Sequence, residues 1–385
     1  SGDDNNLGTS TEQAFKTIQR ALEMIAPEDD DPVAINLTAE RFSPSTSGEN
    51  FPIRMMSNVN IIGRGKEATI LDAEQTGIVI SVYNCKNSII SNLTLTGGGK
   101  ELDRTTSYDS YLFGGGVRLY ESNITLSNLN IRNNYAWFGG AIYMNASNPV
   151  MKNIDIYDNT AGFLQDIPSD VNQSAGCIIR LYLSNPIMSG VTVRDNIYDG
   201  AIYDEGLGNM DCAGLCLYKS NPIMMDMIIK NNSTINHEHD YSDGIYYGAS
   251  ALYLVDSNPS LTNVLIAGNK SSSGNVVFLS YSTPTLTNVT ISNNTANYGT
   301  SMPVLPVFHF TSEYLDNTLS NPTVKNTIIW DHNGDYGGDI VFVDDELENM
   351  DGAPIISYSN IGGGWGGEGN IDVDPQFIAN EFTLQ

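Results

Sequence analysis

The chain has 385 residues, 18 of them basic and 45 acidic, giving a formal charge of −27, and 41% of its residues are hydrophobic. That is ample apolar material for a core, while so acidic a surface repels nucleic acid and bare anionic membranes; a polyanionic ligand would need a local basic patch or a bridging metal. No apolar run approaches the roughly 20 residues of a membrane-spanning helix, and the chain is expected to have reached its location after removal of an export signal.

In chain order, Ser10 to Gln13 reads as a capping box, and Phe15, Ile18, Leu22 and Ile25 follow at helical spacing. Pro27 and the acidic run Asp29–Asp31 end that helix, which reads as a cap over one end of a stack of strands. Val33–Leu37 reads as the first strand, Arg41–Pro52 as a polar loop, and Val59–Ile62 and Ala68–Asp72 as strands. Residues 1–48 are therefore expected to form a cap and residues 49–385 a solenoid with inserted loops.

From there one phrase recurs. Counted on a repeated Asn or its substitute, copies begin at Asn123, Asn148, Asn185, Asn221, Asn258, Thr283 and Asn321, in steps of 25, 37, 36, 37, 25 and 38 residues, with an earlier copy at Asn87 and a degenerate one at Ala353. A unit of fixed length with optional insertions is the mark of a solenoid. Apolar residues fall at offset 3 (Leu126, Met151, Met188) and offset 8 (Ile131, Ile156, Val193) in a period of two, which is strand patterning. Asn recurs at offset 5 (Asn92, Asn128, Asn153) and offset 11 (Asn134, Asn159, Asn196), where it suits left-handed corners and amide ladders between coils about 4.8 Å apart. The expected fold is all-β, a right-handed single-stranded parallel β-helix with a short N-terminal capping helix.

Six and four residues before the repeat position lie inward apolar residues such as Ile142 and Met144, so the residue between them points outward. That row is Arg118, Tyr143, Arg180, Cys216, Tyr253 and Phe278, continued by His309, and it is expected to be an exposed aromatic and basic stripe able to stack sugars or meet a partner. Cross-strand pairing that merely stabilises the sheet is the competing reading. Insertions fall just before this row and are rich in Tyr and acids: Tyr203, Asp204 and Glu205 in one, His237, His239, Asp240, Tyr241, Tyr246 and Tyr247 in another, and Tyr314 in a later one. Insertions on one face of a repeat protein often form its binding face. Asp204, Glu205, His237, His239 and Asp240 are the candidate metal ligands, imidazole suiting zinc or another transition metal and clustered oxygens suiting calcium. Their spacing matches neither His-Glu-x-x-His nor a calcium loop, and a solvated polar loop is the alternative. Cys85, Cys177, Cys212 and Cys216 match no zinc spacing; they read as free thiols, or with Cys177 bonded to Cys212 across coils.

Ala14-Phe15-Lys16-Thr17-Ile18-Gln19, Ala68-Thr69-Ile70-Leu71-Asp72-Ala73, Gly139-Gly140-Ala141-Ile142-Tyr143, the Asn-Pro repeats and Asp372-Val373-Asp374-Pro375-Gln376-Phe377 together resemble secreted right-handed parallel β-helix proteins of bacterial surfaces. The repeats are akin to those of polymorphic outer-membrane proteins, and the match is best to surface forms of Bacteroidetes-like bacteria. The resemblance implies fold and export, to an extracellular or outer-membrane surface location, and supplies no catalytic motif to transfer. Three function classes follow: a non-catalytic surface protein binding a glycan or a protein partner, a polysaccharide lyase or glycoside hydrolase, and a self-assembling structural protein. The first is favoured, because no paired-carboxylate or basic lyase signature stands out.

Overall fold

The computed structural model describes residues 2–29, 31–99, 113–163, 176–200, 212–236, 248–272, 274–296, 308–311, 320–330 and 354–377. Among them the strands form three parallel sheets of 16, nine and six strands. The coils from Tyr135 to Ala296 visit all three, and successive coils run in register: Val150–Tyr157 pairs with Asn123–Arg132 on one side and with Ile187–Ser189 and Thr192–Arg194 on the other. With the right-handed sense that parallel crossovers take, the fold is a right-handed parallel β-helix, as the repeat implies.

The offset-3 and offset-8 residues form the core. Leu126, Met151, Met188 and Met224, and likewise Ile131, Ile156, Val193 and Ile229, are fully buried in successive coils. Fully burying such a side chain is worth about 1.5–3 kcal/mol.

Three left-handed corners turn each coil. The offset-5 column is as read: Asn92, Asn128, Asn153, Asn263, Asn288 and Asn326 all have φ between 51° and 59°, and Gly190 (φ 64°) and Asp226 (φ 53°) fill the remaining coils. At the second corner the left-handed residue is one earlier than the offset-11 Asn: Asn133, Asp158, Asp195, Asn231 and Asn293. This corrects the reading of the offset-11 Asn residues as corner formers. They are buried inside the turn, and from Asn159 to Asn294 each Oδ1 accepts two bonds from the preceding coil. Asn159 donates both its backbone N–H (3.0 Å) and its side-chain Nδ2 (3.0 Å) to Asn196 Oδ1, and Asn196 does the same to Asn232 at 3.2 and 2.9 Å. The remaining Nδ2 hydrogen reaches a core-strand carbonyl, Ile156 O at 3.0 Å from Asn196. The ladder begins at Gly98, whose N–H donates to Asn134 Oδ1, and runs on through Asn269 to Asn294.

A second ladder stands at the third corner. Ser122, Ser147, Ser184, Ser220, Ser257 and Ser282 are buried; each hydroxyl accepts the backbone N–H of the previous coil near 3.0 Å and donates to the carbonyl two residues back. Cys85 takes the equivalent place in its coil: its N–H donates to Ser122 Oγ and its thiol to Tyr83 O. The preceding residue is left-handed even where it is Ala146, Leu183 or Tyr281.

At the N-terminal end, Ser10 caps a 3-10 turn (Thr11–Gln13), and the α-helix α1 (Ile18–Met24) has its own cap in Thr17. The capping box thus belongs to the turn, and the helix starts later than its apolar spacing suggests. Glu49, buried and distant in sequence, accepts the N–H groups of Ile18 and Gln19. Arg41–Phe42, read as part of a loop, is a strand on Ile70–Leu71. The first strand, β1 (Val33–Asn36), lies at the end of the 16-stranded sheet.

Replacing Asn196 by Ala leaves two donors of Asn159, the Ile156 carbonyl and Asn232 Oδ1 short of partners in a dry interior. At about 1–3 kcal/mol per stranded group, partly relieved by relaxation, urea unfolding should show a loss of roughly 3–5 kcal/mol. The exposed Asn185→Ala, which also removes an inter-coil bond, should lose under about 1 kcal/mol. Equal losses at the two positions would contradict the assignment of stability to the buried ladder.

Candidate functional site

The outward row lies in register through the nine-stranded sheet: Arg118, Tyr143, Arg180, Cys216, Tyr253, Phe278 and His309 are successive Cα partners. Its exposure differs from expectation. Tyr143, Arg180, Cys216, Tyr253 and Phe278 are each no more than 9% exposed, and Arg118 is half-buried. An irregularity in the strands contributes to this. Register shifts after Phe138, Cys177 and Ala249 bring those residues alongside the row. Cys177, Cys212, Cys216, Ala249, Tyr253 and Phe278 then pack as a second apolar cluster outside the main core. Phe113 stacks on Phe138 (5.0 Å) and tilts against Tyr143 (4.8 Å), Arg180 lies over Phe138 (5.4 Å), and Tyr253 stacks on Phe278 (4.6 Å). Burial accordingly pushes the Tyr143 hydroxyl up, and burial followed by the neighbouring Arg54 pushes the Arg118 guanidinium down.

Two residues further along each strand, on the same outward face, a different row is open. Tyr83, Tyr120, Asn145, Tyr182, Tyr218 and Val255 are successive partners. Tyr83 is 62% exposed, and Tyr120, Asn145, Tyr182 and Tyr218 are half-buried. Tyr83 stacks on Tyr120 with centroids 5.2 Å apart and planes at 12°, and Tyr182 stacks on Tyr218 at 5.3 Å and 2°. The Lys219 ammonium lies 5.3 Å from the Tyr218 ring centre. Asn145 interrupts the column, and its amide donates to the Tyr143 hydroxyl at 3.4 Å. Two tyrosine pairs therefore flank one small polar residue. Tyr120 and Tyr182 stand two coils apart, about 9–10 Å by strand spacing, with an amide between them.

Sequence reasoning chose the neighbouring row because it lies between the two inward apolar residues of each strand. The signal for the open row was present in Leu119-Tyr120-Glu121-Ser122-Asn123, Leu181-Tyr182-Leu183-Ser184-Asn185 and Leu217-Tyr218-Lys219-Ser220-Asn221. In each, Tyr follows the last inward residue and precedes the corner, where side chains splay outward.

The insertions that hold Tyr203, Asp204, Glu205, His237, His239, Asp240, Tyr241, Tyr246 and Tyr247 lie outside the described residues. Their flanking strands fix where they leave the solenoid: 164–175, 201–211 and 237–247 each join the six-stranded to the nine-stranded sheet. Tyr198, just before the insertion that holds Tyr203, is buried within strand Ile197–Gly200. The segment holding Tyr314 follows strand Phe308–Thr311 and opens at a different point of the coil. Among the described residues no group of three or more His, Cys, Asp or Glu is placed to hold a metal. Asp374 caps the turn at Gln376, and Asp3 the turn at Asn5.

A family model described as a protein of unknown function, DUF1565, matches residues 1–246. The chain belongs to the DUF1565 family. No curated protein matches it. Among solved structures, this DUF1565 chain is similar to pectate lyase Pel9A (13% identity, 87% of this chain and 74% of that one, TM-score 0.46). It is also similar to the mannuronan C-5 epimerase AlgE6 A-module of Azotobacter vinelandii (12%, 90% and 91%, TM-score 0.42) and to PfbA, a surface adhesin of Streptococcus pneumoniae (12%, 77% and 75%, TM-score 0.32). Among the described residues no helix is long and apolar enough to cross a membrane.

The four cysteines are free and buried, so the cross-coil disulfide alternative gives way to thiols, although Cys177 and Cys212 are register partners. Burial, and then the neighbouring Cys216, pushes the Cys177 thiol well above the ordinary 9.0. A value raised in the folded state gives stability that is full below pH 9 and is lost as the pH climbs beyond it. A thiol reagent should label none of the four in the native protein at neutral pH and all of them in urea. Cys177→Ala should blunt the alkaline loss seen in melts above pH 9; an unaltered alkaline limb would assign that loss to another group.

Proposed function

We propose that this protein is an extracellular or cell-surface β-helix that binds glycans without transforming them, seating a sugar ring between Tyr120 and Tyr182 above Asn145. The carrying observation is the interrupted tyrosine column. Tyr83 and Tyr218 occupy the outer faces of the two pairs, leaving the inner faces turned toward the Asn145 coil. Two van der Waals contacts of about 3.5–4.0 Å each fit within a slot twice the strand spacing. A pyranose presents C–H faces for stacking and equatorial hydroxyls for hydrogen bonding. The tyrosine faces answer the first and the Asn145 amide with the phenol hydroxyls the second.

Stacking in pairs also holds the rings in place before a ligand arrives, which reduces the ordering cost of binding. The insertions leave the solenoid just before this sheet, so Tyr203, Tyr241, Tyr246 and Tyr247 are proposed to extend the same surface, with calcium as a bridging cation if Asp204, Glu205 or Asp240 meets it. The row from Arg118 to Phe278 is proposed to act as the platform beneath. Arg180, which a lyase mechanism would need free as a base, is buried over Phe138. An exported, bacterial-surface setting with polymorphic outer-membrane-protein-like repeats is the biological context that fits this reading.

A glycan array followed by calorimetry tests it. Tyr120→Ala and Tyr182→Ala should each weaken the best hit by about ten-fold, the scale of one lost aromatic contact, with the melting temperature little changed. Val255→Ala, beyond the slot on the same row, should leave affinity intact, and reducing ends should not accumulate. Affinity indifferent to both tyrosines, or release of reducing ends from the bound glycan, would overturn the proposal.

A further inference from the structure

The two ends of the solenoid are finished differently. At the C-terminal end the last inward residues, Ile356 and Ile361, are buried, Trp365 packs against the core, and Asn370 donates to the Ile356 and Trp365 carbonyls. At the N-terminal end β1 has the neighbouring strand Val59–Ile62 on one side and, among the described residues, no strand on the other. Val33 donates to Asn58 O and Leu37 to Ile62 O. Backbone alternation then turns the N–H and C=O groups of Ala34 and Asn36 to the open side.

A cleft of about 500 Å³ runs along that side, between β1 and α1. Its floor includes Val33 and Ile35, both half-buried, although their register partners Val59 and Ile61 are fully buried. Ile35 begins the inward column that continues through Ile61, Ile90 and Leu126. In every later coil that column is covered by another rung. The cleft also differs in charge from the rest of the molecule. Lys16, Arg41 and Arg64 line it against Glu40 alone. Arg41 is paired with Asp72, whereas Lys16 and Arg64 are exposed and have no ion pair among the described residues. On a chain of net charge −27 this is a locally positive concavity.

We propose that β1 is a docking edge, which takes an extended peptide of another protein as one further rung, its apolar residues covering Val33 and Ile35 and its acidic residues meeting Lys16 and Arg64. Continuity with the inter-coil packing decides the extended form. A backbone edge offering N–H and C=O at alternate residues is satisfied in full only by another strand, and an apolar pair two residues apart is matched only by the same alternation. A second copy docked head to tail is not the occupant, because among the described residues the opposite end of each molecule is covered by Trp365 and Asn370; a dimer joined β1 to β1 would show as concentration-dependent scattering that the peptides do not reverse, and would overturn the proposal. This site is independent of the tyrosine slot.

Fluorescence anisotropy with labelled peptides tests the inference on the whole chain. Peptides alternating Val and Thr and flanked by Glu should bind. The same peptides flanked by Lys should bind about ten-fold more weakly, a scale set by like-charge contacts at a rim, and peptides with Pro at alternate positions should not bind. Ala34→Pro removes an outward N–H without touching the bonds to Val59–Ile62, a substitution that edge strands tolerate. It should melt as the parent does and lose peptide binding by about ten-fold or more. Arg64→Glu, at an exposed position, should reverse the Glu-over-Lys preference and so tests the site even if Ala34→Pro folds poorly. The proposal fails if no series binds, if Pro peptides bind as well as the others, if Arg64→Glu leaves the preference unmoved, or if free hexuronic acid displaces the peptides and so proves to be the occupant.

Discussion

The interaction on which the structure depends is a side-chain amide oxygen accepting two hydrogen bonds from the coil before it. A parallel β-helix must turn its backbone inward at each corner, where peptide groups lose both water and their sheet partners. An unpaired buried peptide group costs about 1–3 kcal/mol, and each coil has several. The column from Asn134 to Asn294 answers this at one corner and the serines from Ser122 to Ser320 at another. Both ladders bond from the earlier coil to the later, so each rung fixes the next. A slip of one residue would put Asn196 or Ser184 out of reach and turn the methionine column toward water.

Register fixed in this way determines what the outer surface can do. Because every coil enters the nine-stranded sheet at the same phase, side chains at equivalent positions align into rows whose members are one strand spacing apart. One row is buried from Tyr143 to Phe278, beside a bulged segment of its own sheet. The next, from Tyr83 to Tyr218, is left open in stacked pairs with a gap at Asn145. The proposed recognition by such a surface is set by repeat spacing rather than by a pocket. It needs no moving part, since the ladders beneath hold the rings. The same logic explains the open end: β1 ends a column that everywhere else is covered.

The architecture was legible because the determinants repeat. Asn-Pro phrases, alternating apolar offsets and Asn columns each occur many times, so one ambiguous copy such as Ala353 did not disturb the pattern. Inward and outward assignments held throughout for Ile142, Met144, Ile179 and Leu181. What remained hidden depended on events that do not repeat. The bulges after Phe138 and Cys177 bury a row that alternation alone leaves exposed. Leu183 and Tyr281 adopt left-handed backbone against their own preference because the serine that follows must face inward. Glu49 caps a helix far away in sequence, a contact that no local pattern announces. The tyrosine column had a local signature, yet its significance lies in pairing and interruption, which appear only when coils are stacked.

Deletion of residues 185–220 removes one 36-residue step and joins Ser184 to Asn221, so that Asn159 meets Asn232 and Ser147 and Ser184 keep their places. If shared ladders make any coil a fitting neighbour for any other, the shortened chain should retain its β circular dichroism, unfold cooperatively, and show in small-angle scattering a rod shorter by about 4.8 Å. A deletion product without cooperative unfolding, or with the spectrum of an unfolded chain, would contradict the account, because stability would then reside in contacts particular to each pair of coils.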